Sequence, residues 1–79
     1  MFWVYVLKSR RTGRRYVGCT ADLLRRIEEH NRGQTRATRG GAPWDIVHRE
    51  GFPSHAEALL RERFLKSGRG RRELDGMVG

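Results

Sequence analysis

The chain has little of what would tie a small fold together covalently or hold it in a membrane. Its one cysteine, Cys19, has no partner for an internal disulfide, and no Cys/His cluster carries zinc spacing. Cys19 reads as a small packed residue in a strand. No apolar run reaches spanning length and no signal-peptide pattern opens the chain. No helical stretch joins a bulky apolar face to a purely basic one, so a membrane is not an expected partner and a cytoplasmic protein is expected. Lysine is scarce as well. Of 17 basic residues fifteen are arginine, against 9 acidic ones, for a net charge of +8. Such an excess points to nucleic acid as the partner class, and arginine suits bidentate phosphate contact better than lysine does. A chain of 79 residues allows one domain, 1–79, with a small core.

What is present falls into short, well-punctuated elements. Phe2-Trp3-Val4-Tyr5-Val6-Leu7 is a strand-length apolar run. Phe2, Val4 and Val6 face one side and Trp3, Tyr5 and Leu7 the other, so the strand is predicted to be central or covered on both faces. A polar turn with a glycine, Ser9 to Gly13, leads to a second strand, Tyr16-Val17-Gly18-Cys19, and predicts an antiparallel hairpin. Pairing brings Tyr5 and Tyr16 within about a residue of register. Gly18 inside a strand marks either a bulge or a place where backbone or ligand comes close.

Thr20 to Asp22 can cap a helix that stops at Gly33. Leu23, Leu24 and Ile27 form its apolar stripe, Arg26 lies on the flank, and His30 follows one turn on. Arg25, Glu28 and Glu29 point to water. A half-buried arginine either snorkels its head to solvent or meets an anion, and Arg26 is the candidate phosphate clamp. The next stretch, Gln34 to Gly41, is predicted as a mobile basic loop. Its Arg36 and Arg39 are either solvated or a phosphate-contacting arm.

Pro43 to His48 reads as a third strand, ended by Glu50-Gly51-Phe52-Pro53. Ser54 and Glu57 form a capping box for a second helix running to about Lys66. On that helix Glu62 falls among Ala58, Leu59 and Leu65, with Arg61 and Arg63 pointing elsewhere. A carboxylate in apolar company needs a partner: Lys66 at i+4, or a hard cation such as Mg²⁺. Ser67 to Arg72 is predicted to fray, with a short turn or helix over Glu73 to Val78. The fold class is therefore α/β (α+β): a three-stranded, mainly antiparallel sheet flanked by helices.

The order of these residues resembles the GIY-YIG nuclease superfamily, and within it the small stand-alone bacterial branch related to the nuclease domain of the excision-repair incision subunit. Trp3-Val4-Tyr5 stands where the first motif belongs, keeping only its tyrosine, and Tyr16-Val17-Gly18 stands for the second. Arg26, His30-Asn31, Pro43-Trp44, Ala58, Arg61-Glu62 and Lys66 match the rest. The resemblance implies a metal-dependent DNA endonuclease, with a role in repair or recombination. It implies Tyr16 as the residue that positions or deprotonates water, supported by Tyr5, and Arg26 on the scissile phosphate. His30 would orient a neighbour or relay a proton, and Glu62 would hold one Mg²⁺ (or Mn²⁺). Arg26, Arg36, Arg39 and Lys66 are the candidate nucleic-acid contacts, to duplex or branched DNA, with RNA as the other candidate. Two alternatives stand beside this: both tyrosines as core aromatics, and the whole chain as a nucleic-acid-binding module that does not cut.

Overall fold

The computed structural model describes residues 1–78. Its elements are β1 (Phe2–Ser9), β2 (Arg15–Thr20), α1 (Leu23–Asn31), a 3-10 turn (Arg36–Thr38), β3 (Trp44–Phe52), α2 (His55–Lys66) and α3 (Gly68–Val78). The sheet order is β2-β1-β3, antiparallel throughout. β1 is central because both its faces are apolar, as its sequence requires. Val4 and Val6 pack with Val17 against Ala58 and Leu65 of α2 and Leu74 of α3. Tyr5 and Leu7 pack on the opposite face with Leu23 of α1 and Trp44. The sheet is thus sandwiched between α1 on one side and the α2–α3 pair on the other.

Side chains on hairpin and caps set the geometry. Buried Ser9 accepts from the backbone N–H groups of Arg11 and Thr12 at 3.1 and 2.9 Å and donates to the Gly41 carbonyl, fixing both the β1–β2 turn and the approach to β3. Asp22 caps α1 by accepting from the Arg25 N–H, and Gly33, at φ +74°, lets the chain leave it. Ser54 caps α2 through Glu57, as the capping box predicts. A β-bulge in β3 sets Val6 opposite His48 and Leu7 opposite Ile46, leaving Val47 without a partner on β1.

Several expectations are corrected. Tyr5 pairs with Gly18 and Tyr16 with Leu7, so the two tyrosines are diagonal neighbours two positions apart on one face. Leu24 does not join the stripe of α1; it is 80% exposed, since no element covers that side. Glu29 does not point free to water but pairs with Arg26. Arg61 does not point away: it spans Glu50 of β3 and Glu73 of α3, with Nε–Oε1 2.8 Å and Nη2–Oε1 2.9 Å respectively. Gln34 to Gly41 is not a free loop, because Thr38 is buried within it. β3 continues through Glu50 and Gly51 to Phe52.

The largest correction is α3. Residues 68–78 form a helix rather than a frayed segment, because α3 docks on α2 at Gly70. A Cβ on Gly70 would collide with the Phe64 carbonyl and the Leu65 Cα. Leu74, one turn later, fills the core beneath. Gly70→Ala is therefore expected to destabilise by roughly 1–3 kcal/mol. Gly76→Ala, where a Cβ meets nothing within 4 Å, should instead stabilise by up to about 1 kcal/mol. Urea midpoints of the two variants check this; equal effects would mean that α3 does not dock at Gly70.

Candidate active site

Three sequence-separated aromatic rings meet on the α1 face of the sheet. β1 delivers Tyr5, β2 delivers Tyr16, and α1 delivers His30 from its last turn. The ring centroids are 5.0 Å apart for Tyr16–His30, 5.8 Å for Tyr5–His30 and 6.5 Å for Tyr5–Tyr16. Gly18 is the position that admits this cluster. A Cβ there would run into the phenol of Tyr5, so the close approach expected at Gly18 is made by a neighbouring side chain.

Tyr5 and His30 are fully buried, at 1% and 0% exposure. The Tyr5 hydroxyl lies 2.8 Å from His30 Nε2, and His30 Nδ1 lies 2.7 Å from the Thr38 hydroxyl. Burial pushes the Tyr5 phenol up to about 12, against the opposing pull of the Arg26 guanidinium. Tyr5 therefore stays protonated at neutral pH and keeps an O–H to donate. Burial, with Arg26 nearby, lowers the pKa of His30 below its ordinary 6.5, so its imidazole is neutral at pH 7. Tyr16 is only half-buried and is the tyrosine of the pair that solvent reaches.

Arg26 sits half-exposed on the same edge, its Nη1 2.9 Å from Glu29 Oε1. Its remaining N–H groups can still bind an anion. Glu62 lies on α2, with its side chain only 17% exposed and 3.0 Å from Lys66 Nζ. Lys66 in turn lies 5.8 Å from the Tyr16 ring centre. Glu62 is near enough that its charge acts on both Tyr5 and Cys19. The Glu62–Lys66 pair foreseen as the plainer alternative is thus formed, beside Tyr16 and not remote from it.

No group of three or more His, Cys, Asp or Glu side chains among the described residues could cage a metal ion. A single recessed carboxylate is the wrong donor set for zinc or for a structural ion. It fits a Mg²⁺ that keeps several waters and takes further oxygens from a phosphate substrate.

Two clefts share Tyr16 and Arg15 in their walls. One, of about 180 Å³, adds Arg14, Arg39 and Thr38; the other, of about 360 Å³, adds Lys66, Arg71 and Leu65. Each presents three cations, and neither has a carboxylate among its described lining residues. Arg39 and Lys66 thereby reach the site, while Arg36 is exposed at the start of the 3-10 turn. Arg14, Arg15, Arg71 and Thr38 were not foreseen from sequence. The arginines gave only a diffuse charge signal, and Thr38 lies in a stretch without periodicity. Asn31, beside His30, holds the site's floor: its amide pairs with both the N–H and the carbonyl of Trp44, whose indole donates to the Thr38 carbonyl at 3.1 Å.

Residues 1–74 match the family described as the GIY-YIG catalytic domain. A UPF0213 protein of Halobacterium salinarum is 42% identical over 67 residues, covering 84% of this chain and 86% of that one. The human structure-specific endonuclease subunit SLX1 is 39% identical over 69 residues, covering 78% of this chain, which spans only 24% of SLX1. The solution structure of a UPF0213 protein from Bacillus halodurans superposes with TM-score 0.60 at 36% identity, covering 100% of this chain and 87% of that one.

The depressed pKa of His30 has a consequence for stability. An unfolded chain takes up a proton on this histidine as pH falls through 6.5, whereas the folded chain resists it. Protons therefore favour unfolding below pH 6.5, and the stability present above that pH is lost on acidification. From this one group the slope is at most about 1.4 kcal/mol per pH unit. Urea midpoints between pH 7.5 and 5 should fall more steeply for the wild type than for His30→Gln. Equal slopes would show that His30 does not resist protonation.

Proposed function

As the chain belongs to the family of GIY-YIG catalytic domains and so carries a nuclease fold, we propose that it is a metal-dependent DNA endonuclease. The reading carries further: a cytoplasmic enzyme of repair or recombination, acting on duplex or branched DNA. The observation that supports it most is the meeting of Tyr5, Tyr16, His30 and Arg26 at one edge, with Glu62 and Lys66 alongside. Core tyrosines without a function would not need a recessed carboxylate and a half-exposed guanidinium beside them. Branched DNA is favoured by the likeness to SLX1, a structure-specific endonuclease subunit.

In this reading Arg26 takes a non-bridging oxygen pair of the scissile phosphate while its Nη1 stays on Glu29, and so stabilises the charge that grows in the transition state. Tyr16, reached by solvent, positions the attacking water in line. Tyr5 stays protonated and fixes the aromatic cluster through His30. Lys66 moves from Glu62 to a DNA phosphate, which frees the carboxylate. A Mg²⁺ or Mn²⁺ held there, when bound, neutralises charge at the phosphate and the leaving oxygen. Arg36 and Arg39 follow the backbone on the other side of Tyr16.

The second reading, a module that binds nucleic acid without cutting it, draws on the fact that Glu62 and Arg26 each already have a partner in the chain. Nicking of supercoiled plasmid and of a branched duplex separates the two. Wild type is expected to nick with Mg²⁺ or Mn²⁺ and not with EDTA. Arg26→Ala and Glu62→Ala should each lose roughly 10²-fold or more. No cutting by any of the three, with salt-sensitive DNA retention by all, would establish the binding module instead.

A further inference from the structure

We propose that Thr38 is a positioning residue that fixes the tautomer of His30 and, through it, the orientation of the Tyr5 hydroxyl. The catalytic consequence rests on the nuclease reading; the tautomer does not.

His30 is fully buried, so both ring nitrogens are satisfied within the chain, one as donor and one as acceptor. The buried Tyr5 phenol and the Thr38 hydroxyl together decide which. The threonine hydroxyl lies 2.7 Å from His30 Nδ1 and 3.4 Å from the Thr35 carbonyl. The threonine proton can turn to that carbonyl, which also takes the Thr38 backbone N–H at 3.2 Å, and the threonine oxygen is then the acceptor for His30 Nδ1–H. Nε2 is then the acceptor, and it takes the Tyr5 O–H at 2.8 Å. The phenol is buried and this is the one hydrogen bond its oxygen makes among the described residues, so its proton has no other acceptor.

The opposite tautomer breaks this chain. With the proton on Nε2, Tyr5 would accept from His30 and its own buried O–H would have no acceptor among the described residues. The Thr38 hydroxyl would turn to Nδ1, leaving the Thr35 carbonyl to the Thr38 backbone N–H alone. A buried donor left unpaired is costly, so one tautomer is selected.

Thr38 also belongs to the turn that bears Arg36 and precedes Arg39, and its carbonyl receives the Trp44 indole. A residue that sets the proton on His30 therefore also pins the arginine loop to the floor of the site. Nothing in the local sequence marks it, because its partner lies in a different element.

Two-bond ¹H–¹⁵N spectra of histidine-labelled protein at pH 7.5 read the tautomer directly. Wild type and Thr38→Ser are expected to show His30 as the Nδ1–H form alone. Thr38→Val, nearly isosteric but without the hydroxyl, should give the Nε2–H form or a mixture. The Nε2–H form in wild type, or an unmixed Nδ1–H form in Thr38→Val, overturns the assignment. If Thr38→Val does not fold, the wild-type and Thr38→Ser spectra decide alone. In the nicking assay kcat should fall roughly tenfold or more in Thr38→Val, with KM for DNA little changed and rescue by Thr38→Ser. Absence of cutting by the wild type would overturn the nuclease reading and leave the tautomer to stand or fall on the spectra.

Discussion

The fold is built around a buried run of hydrogen bonds, from the Tyr5 hydroxyl through His30 to Thr38. Such a chain is costly to bury unless every member is paired, and the surrounding structure meets that demand. Gly18 makes room for the Tyr5 ring, α1 ends so that His30 points inward, and the arginine-bearing loop folds into a 3-10 turn to bring Thr38 beneath it. No buried side-chain polar atom among the described residues lacks a partner. The core tyrosine and histidine are thus held without freedom to reorient. Tyr16 and Arg26, which remain partly exposed, are held against that rigid floor.

A second constraint is electrostatic. With a net charge of +8 the chain repels itself, and its scarce carboxylates are placed where they organise cations. Glu29 holds Arg26, Glu62 holds Lys66, and Glu50 with Glu73 holds Arg61 between β3, α2 and α3. Arg61 keeps the Glu50 carboxyl below its ordinary range, with His48 contributing. Arg61 immediately precedes Glu62, so the same network that joins the three elements fixes the turn of α2 on which Glu62 stands. In the clefts beside Tyr16, Arg15 pairs with Asp75 and Lys66 with Glu62, whereas Arg14, Arg39 and Arg71 have no ion pair among the described residues and are the cations left for a phosphate backbone.

Elements carried by periodicity and caps were legible in the sequence. β1 announces its central place through two apolar faces, and Asp22 and Ser54 mark the starts of α1 and α2. Helical spacing picked out Arg26 and Glu62, and family resemblance added Tyr5, Tyr16 and His30; four of the five the fold gathers at one edge, with Glu62 beside them. What stayed hidden depended on partners distant in sequence. α3 contains Gly68, Gly70 and Gly76, a poor helix by propensity, and forms because Gly70 permits close contact with α2. The helical wheel turned Arg61 away from the face of Glu62 since it does not include Glu50 on a neighbouring strand. It placed Leu24 in the stripe without knowing that nothing covers it. Thr38 looked like one polar residue in a basic loop, because a hydrogen bond to a buried histidine leaves no periodic trace.

The central claim is that Glu62 and Tyr16 serve one metal-assisted site completed by DNA. Paramagnetic broadening by Mn²⁺ tests it most directly, with a non-cleavable phosphorothioate duplex added to the isotope-labelled chain. The expected result is broadening centred on Glu62, Cys19, Tyr16 and Lys66, strong only when DNA is present and lost in Glu62→Gln. Broadening centred elsewhere, or unchanged in Glu62→Gln, would contradict the claim.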